Sequence, residues 1–216
     1  MYFLSKELYF PPVTEASVEG ILAVGGDLSV ERLIFAYKNG IFPWFDDSDP
    51  ILWWAPPKRM VVIPSTYKIS KSNRNLLNQN KFQITVNKCF KSVVLHCQNI
   101  KRKGQQGTWI SDDIVKQYCK LHQMGIAKSV EVWQNNELVG GLYGIDLGNV
   151  FCGESMFSMV SNASKIAFVS LIKYLKNANY DLLDCQIHNH YLEQLGAFEM
   201  ERSAFMEILN NKKAVL

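Results

Sequence analysis

The most constraining feature of the sequence is a run of three strand patterns followed by a long helix and one more strand. The three strands are predicted at residues 129–134, 137–145 and 150–156. The helix and the last strand are predicted at residues 163–177 and 181–187. A strand–helix–strand unit connects through a right-handed crossover, so its two strands run parallel and are often neighbours. Ligands bind at the carboxyl ends of such strands, and that is where we expect a site.

The strand at 150–156 carries a carboxylate within an otherwise apolar run, FCGESMFS. A period of two places Cys152, Glu154 and Met156 on one face, and it places Asp184 and Gln186 together on the last strand. A buried carboxylate without a partner costs roughly several kcal/mol. Taken alone, each acid is explained equally well by a functional site and by a structural hydrogen-bond network that ties strands together. Because both lie at matching strand ends, we expect them to share a site.

Several kinds of chemistry lack their sequence signatures. The chain has no Gly-x-Ser-x-Gly elbow, no GxGxxG motif and no phosphate-binding loop before Lys-Ser or Lys-Thr. His188 and His190 lack a third ligand, so we expect no metal, and no motif calls for a cofactor. The five cysteines are scattered without a CxxC pair, and we interpret them as reduced, buried thiols.

Charge is unevenly distributed although the net charge is only +3. Residues 1–60 sum to −3, whereas residues 66–128 sum to +10. A basic segment of this kind binds a polyanion or is simply a solvated surface. No apolar stretch reaches the length of roughly 20 residues that spans a bilayer, and the start lacks a secretion signal. We therefore expect a cytoplasmic protein that does not bind a membrane.

The chain divides at Pro56-Pro57 into an expected N-terminal domain, residues 1–60, and a catalytic domain, residues 61–216. In the first part, Ser29 is the predicted N-cap of a helix that closes at Gly40. The element order of the second part resembles the GNAT acetyltransferase core. The expected fold class is α/β (α+β), with a mixed sheet in a GNAT-like acyltransferase domain.

The GNAT family holds CoA in a glycine-rich loop between the last meander strand and its helix. The corresponding junction here, residues 159–165, contains no glycine. The acyl donor is therefore not expected to be CoA. A basic segment together with several tryptophans favours a nucleic-acid carrier instead.

Eight short motifs in a fixed order resemble those of the leucyl/phenylalanyl-tRNA-protein transferase family. The resemblance extends from about residue 20 to about residue 200. The motifs are GGDLS at 25–29, GIFPWF at 40–45, DPILWW at 49–54, GTWI at 107–110, GGLYG at 140–144, FCGESMFS at 151–158, NASK at 162–165 and LDCQ at 183–186.

The resemblance implies transfer of Leu or Phe, and less well Met, from aminoacyl-tRNA to proteins that begin with Arg or Lys. This reaction marks proteins for degradation in the N-end rule pathway, and it needs no cofactor. By the family match, Asp184 and Gln186 orient and activate the attacking amine, with Asp184 polarising Gln186. In an alternative route, the ribose hydroxyl of the substrate carries the proton. Glu154 is expected to hold a cationic group.

The resemblance also implies a pocket for the donor side chain and contacts to the tRNA. Trp44 and Trp109 are candidates to stack on the terminal adenosine, and the loop Lys101-Arg-Lys103 is expected to bind phosphates. Apolar pocket residues have the spacing of ordinary core residues as well. The pocket candidates are Leu142, Phe151, Met156, Phe168 and Leu171.

Three other functions are compatible with parts of the pattern. One is an acetyltransferase that uses CoA. Another is a tRNA-dependent transferase that builds peptidoglycan cross-bridges, a class whose chains are longer and contain two such cores. The third is a non-catalytic RNA-binding module in which Glu154 and Asp184 are structural.

Overall fold

The computed structural model describes residues 2–46, 49–79, 81–100 and 108–211. Within these ranges the strands form one sheet of four and one of seven. No helix in the described part of the chain is long and apolar enough to cross a membrane. The cytoplasmic location and the division at residue 60 stay predictions.

The smaller sheet lies in the N-terminal part, where no clear strand pattern is present in the sequence. Its strand order is β1-β2-β4-β3. The strands are β1 (Tyr2–Leu4), β2 (Ile21–Gly25), β3 (Phe42–Pro43) and β4 (Leu52–Trp54). Helix α1 (Val30–Lys38) follows Ser29, whose hydroxyl accepts the N–H of Arg32 at 3.3 Å. This cap confirms the predicted helix start.

The larger sheet contains the predicted meander and is mixed in direction. Its strands are β5 (Lys58–Val62), β6 (Gln83–Val86), β7 (Ala127–Gln134), β8 (Glu137–Asp146), β9 (Val150–Ser158), β10 (Leu182–Asp184) and β11 (Phe198–Glu201). Their order is β11-β5-β10-β9-β8-β7-β6. β9 and β10 pair in parallel, as predicted, and the neighbouring pairs are antiparallel. The expected mixed α/β fold class is confirmed.

Helices cover both faces of the larger sheet. The helices after α1 are α2 (Lys71–Asn78), α3 (Phe90–Asn99), α4 (Asp112–Gln123), α5 (Ala163–Asn177), α6 (His190–Gln194) and α7 (Arg202–Asn211). One core includes buried residues of α1, α3, α4 and α7, and it joins the N-terminal part to the sheet. The other core lies under α5. The helix predicted at residues 163–177 is confirmed as α5.

Two strands of the larger sheet, β5 and β11, were not predicted. β5 begins directly after Pro56-Pro57 and pairs antiparallel with both β10 and β11. Its first residues, Lys58 and Arg59, interrupt the apolar run by which a central strand is recognised. The segment that looked like a hinge therefore continues directly into the sheet.

The strand β10 ends earlier than predicted, at Asp184. Its register with β9 runs from Leu182 opposite Val150 to Asp184 opposite Cys152. β9 continues to Ser158 without this neighbour. The parallel pair thus opens beyond Cys152 and leaves a gap at its carboxyl end.

A β-bulge at Glu154 changes the face on which the following residues lie. Tyr143 pairs with Ser155, whereas Gly144 pairs with Gly153, so Glu154 is an extra residue on β9. Cys152 consequently packs in the core that contains α1 and α4, whereas Met156 packs against the core under α5. The expected shared face of Cys152, Glu154 and Met156 is wrong, because a bulge breaks the period of two.

The close approach at Gly144 predicts a large effect of added volume. A Cβ there would collide with the carbonyl oxygen of Cys152 and the ring of Phe151. We expect Gly144→Ala to lower the free energy of unfolding by roughly 1–3 kcal/mol or more, measured by urea denaturation. Gly153→Ala is the control, because its nearest neighbours would lie at 3.6 Å. Equal stability of the two variants would contradict this packing.

Candidate functional site

A cleft of about 530 Å³ lies at the open end of the β9–β10 pair. Residues from both parts of the chain line it, and most of the sequence-predicted site residues are among them. The predicted residues that line the cleft are Trp44, Trp109, Leu142, Glu154, Met156, Phe168, Leu171 and Gln186. The structure therefore brings these eight residues together at one cleft, and the roles expected of them there stay predictions.

Two predicted residues do not line the cleft. Phe151 is 2% exposed and packs in the core under α5, where it contacts a separate cavity of about 80 Å³. Asp184 is fully buried behind the cleft wall. The ring of Phe157 stacks on His96 in the other core.

Glu154 lies at the polar floor of the cleft and bonds to groups on two sides. Its Oε2 accepts the Tyr118 hydroxyl at 3.1 Å, and its Oε1 accepts the Gln186 side-chain amide at 3.3 Å. Burial raises the pKa of Glu154 to about 8, and the nearby Asp184 carboxylate acts in the same direction. The hydroxyls of Tyr37 and Tyr118 oppose this shift.

The hydroxyls of Tyr37 and Tyr118 lie 2.5 Å apart, although 81 positions separate them in the chain. Both rings are buried, and burial raises the pKa of each phenol well above its ordinary value. Both groups therefore stay protonated and serve as hydrogen-bond donors at neutral pH. Sequence reasoning missed them, because tyrosines at helical spacing look like ordinary core residues.

Asp184 forms a bidentate, buried ion pair with Arg59. The Arg59 Nε bonds to Oδ1 at 2.9 Å and Nη2 bonds to Oδ2 at 2.7 Å, with the two side chains 1% and 0% exposed. Nη1 donates to the Gly40 carbonyl at 2.7 Å. The one sequence signal for Arg59 is its position directly before the apolar run at residues 60–63.

Gln186 lies just beyond β10 in the left-handed backbone region, with φ of 59°. Its backbone N–H donates to Asp184 Oδ1 at 2.9 Å, and its carbonyl accepts the N–H of Met60 at 3.0 Å. The alternation of a strand ends at Asp184, because β10 ends there. The expectation that Asp184 and Gln186 project together from one strand is therefore wrong. Asp184 contacts the backbone of Gln186, and the Gln186 amide reaches Glu154.

The two candidate stacking residues differ in accessibility. Trp44 is 42% exposed and packs against Trp54 at 5.3 Å between ring centroids, whereas Trp109 is only 7% exposed. Trp53, in the motif at 49–54, is fully buried. The Lys101-Arg-Lys103 loop lies outside the described residues. On α2, Lys71 and Arg74 are exposed.

The cysteines in the site are protonated thiols. Burial raises the pKa of both Cys152 and Cys185 well above the ordinary value, and Asp184 adds to the effect at each. A thiol in this state is a poor nucleophile. Neither thiol is therefore suited to act as a nucleophile.

The cleft thus combines an apolar wall with a carboxylate and an amide at its floor, at the open end of a parallel strand pair. The model of the family described as leucyl/phenylalanyl-tRNA protein transferase matches residues 61–210. The model of that family's N-terminal domain matches residues 26–57. The chain belongs to the leucyl/phenylalanyl-tRNA protein transferase family, and it is an aminoacyltransferase.

Individual relatives match over almost the whole chain. A leucyl/phenylalanyl-tRNA–protein transferase of Flavobacterium johnsoniae is 62% identical, over 98% of this chain and 100% of that protein. One of Flavobacterium psychrophilum is 55% identical, over 97% and 99%. The solved structure of FemX shares the fold alone, with a TM-score of 0.52 and 10% identity over 79% of this chain and 66% of that chain.

Breaking the buried ion pair should be costly, because it leaves the Arg59 charge without its partner. We expect Asp184→Asn to lower the free energy of unfolding by about 3–5 kcal/mol, measured by urea denaturation. Glu199→Gln is the matched control, since it breaks the exposed ion pair that Glu199 forms at 3.6 Å with Lys58, the residue before Arg59. The control should cost less than about 1 kcal/mol. A similar small loss in Asp184→Asn would contradict a structural role for the pair.

Proposed function

We propose that the protein transfers Leu or Phe, and less well Met, from aminoacyl-tRNA to the N-terminal amine of proteins that begin with Arg or Lys. The reaction would place these proteins in the N-end rule degradation pathway. The observation that carries the proposal is the pairing of Glu154 and Gln186 at the floor of a largely apolar cleft. An apolar side chain and a cationic amine find suitable surroundings there, side by side.

The apolar wall fits the donor side chain. It consists of Leu142, Met156, Phe168 and Leu171, which line the cleft together. Methionine adapts to side chains of different shape, so one wall accommodates both Leu and Phe. A β-branched donor would bring an extra methyl group against this wall, and such a difference changes selectivity by about 1–3 kcal/mol.

The polar floor fits the reaction centre. Aminolysis of an ester needs a neutral amine near the carbonyl carbon and a group that receives its proton. Gln186 lies beside Glu154 and is suited to orient the amine through its amide. Asp184 supports this arrangement through its bond to the Gln186 backbone. A carboxylate at Glu154 is suited to hold the cationic partner.

The tRNA is expected to approach along the exposed tryptophan and the basic segment. Trp44 is accessible at the cleft, so it is the better of the two candidates for stacking on the terminal adenosine. Stacking on an aromatic face contributes roughly 1–3 kcal/mol for any base. The exposed Lys71 and Arg74 are suited to phosphate contacts.

The structure of the β9–α5 junction disfavours the CoA alternative. The N–H of Ala163 donates to the Val160 carbonyl, and the N–H of Ser164 donates to the Ser158 hydroxyl. These are the helix-terminal donors that hold a pyrophosphate in a phosphate-binding turn. Because these two donors are used within the chain, fewer N–H groups of the first turn are left for a diphosphate.

The direct test is to mix the protein with Phe-tRNA and a peptide that begins with Arg. We expect a Phe-Arg amide product by mass spectrometry, and no product from an N-acetylated peptide, which lacks the nucleophile. When acetyl-CoA replaces Phe-tRNA, an acetylated peptide would identify the protein as an acetyltransferase, and we expect none. Binding of Phe-tRNA without any product would support the non-catalytic RNA-binding module and contradict the proposal.

The role of Gln186 predicts a loss of rate without a loss of fold. Gln186→Asn keeps the left-handed backbone, which asparagine tolerates, but shortens the reach of the amide. We expect the single-turnover rate with saturating Phe-tRNA to fall about 10-fold to 100-fold. Gln194→Asn is the control, because Gln194 is exposed and does not line the cleft. A normal rate in Gln186→Asn would exclude an orienting role.

A further inference from the structure

A chain of hydrogen bonds runs from the cleft into the core through Glu154. It begins at the Gln186 amide, passes through the two oxygens of Glu154, and continues to the hydroxyls of Tyr118 and Tyr37. The bulge turns Glu154 toward these tyrosines, which lie on α4 and α1. Nothing in the orientation of an amine at the cleft requires two buried phenols behind the carboxylate.

The tyrosines are held rigidly. The ring of Tyr118 packs edge-on against Tyr143, with centroids 5.7 Å apart and an interplanar angle of 89°. Tyr37 and Tyr118 are 1% and 0% exposed. A hydroxyl fixed in this way is a preorganised donor, so it stabilises an anion without rearrangement.

Other charged and titratable groups near Glu154 come from several elements. Asp184 on β10 and Arg59 on β5 act on it in opposite directions, and they neutralise each other as an ion pair. Cys152 on the same strand is a neutral thiol. Asp46 and His188 line the same cleft and are exposed. Among the described residues, the tyrosine hydroxyls are the neutral donors that reach the carboxylate from the core side.

We propose that Glu154 accepts a proton from the attacking amine, and that Tyr118 and Tyr37 are positioning residues that stabilise the carboxylate for this step. The proposal rests on the proposed transfer to an N-terminal amine. It gives Glu154 a reaction step beyond holding a cation.

The proton balance is simple. The acceptor enters as an ammonium group, and the Glu154 carboxylate takes one proton to leave a neutral amine. The amine nitrogen forms a bond to the ester carbonyl carbon, and the bond from that carbon to the ribose oxygen breaks. A second proton moves from the nitrogen to the ribose oxygen, and Glu154 then releases its proton to water. No oxidant, metal or further reactant is needed.

The acid–base range of Glu154 matches this role. Burial raises its pKa to about 8, close to that of an N-terminal amine, roughly 7.7–8.0. Proton transfer between groups of similar pKa is nearly balanced, which suits a general base near neutral pH. Without the tyrosine hydroxyls, burial would raise the pKa further and leave less carboxylate at neutral pH.

The test compares pH–rate profiles of single-turnover transfer to an Arg-starting peptide. The acceptor amine titrates in the same range as Glu154, so the wild-type profile alone cannot separate the two groups. Tyr118→Phe changes only the enzyme, and we expect its midpoint to move upward by about one pH unit. The rate on the alkaline side should recover to near the wild-type value.

Tyr180→Phe is the matched control. It also removes a tyrosine hydroxyl from a carboxylate, since Tyr180 donates to Asp146 Oδ1 at 2.7 Å, but neither residue lines the cleft. Its midpoint should equal that of the wild type. An unchanged midpoint in folded Tyr118→Phe would overturn the proposal, and a shift in both variants would do so as well.

Two further measurements keep the proposal testable if Tyr118→Phe does not fold. Carbon-13 NMR of labelled glutamate, assigned with Glu154→Gln, should give a Glu154 titration midpoint near 8 in the wild-type protein. A midpoint below about 6 would contradict the proposal. Glu154→Gln should lower kcat by about 100-fold or more, whereas an effect on KM alone would mean that Glu154 only binds the cation.

The outcomes separate this inference from the proposed function. If the wild-type protein forms no Phe-Arg product at any pH, the function is wrong. If product forms but neither the Tyr118→Phe midpoint nor the Glu154→Gln kcat changes, the function stands and the proton-accepting role of Glu154 is wrong.

Discussion

The buried pair of Arg59 and Asp184 is the interaction on which the site depends. An ion pair is tolerated in a protein interior only if its hydrogen-bonding groups are satisfied. Here both carboxylate oxygens and all three guanidinium nitrogens are bonded. The guanidinium also lies between the rings of Phe42 and Phe205, at 4.7 and 4.5 Å. One side chain thereby ties the N-terminal part, the central sheet and the last helix to the strand end beneath the cleft.

The local geometry of the cleft follows from this anchor. Because Asp184 Oδ1 also accepts the Gln186 N–H, the chain leaves β10 at once and turns through a left-handed residue. Such a backbone conformation costs of order 1–3 kcal/mol for a non-glycine residue and persists where the surroundings fix it. On the neighbouring strand, the bulge turns Glu154 toward the same point. Two irregular backbone positions, each next to a regular strand, bring the carboxylate and the amide within 3.3 Å.

The sequence was sufficient for the meander, the strand–helix–strand unit and the region of the site. Periodicity identified the meander, α5 and the parallel strand, and it brought Glu154, Asp184 and Gln186 to one region; the family resemblance implied the apolar wall. It was not sufficient where a backbone irregularity or a distant contact decides the arrangement. The strand period of two predicted the wrong face for Met156, because the bulge breaks that period. It also predicted that β10 continues beyond Asp184 and through Gln186. Arg59 lies 125 positions from Asp184 and Tyr37 lies 81 from Tyr118, so local patterns contain no signal for either pair.

The placement of Glu154 also explains why a carboxylate belongs in an apolar strand. A regular strand residue at this position would face a core and would need a fixed, permanent partner, as Asp184 has in Arg59. The bulge instead leaves Glu154 only partly buried, with neutral donors on the core side and the cleft on the other. Neutral donors moderate the cost of the negative charge without cancelling the charge itself. In the proposed transfer, this carboxylate would attract and deprotonate the incoming ammonium group, and a permanent ion pair would remove that capacity.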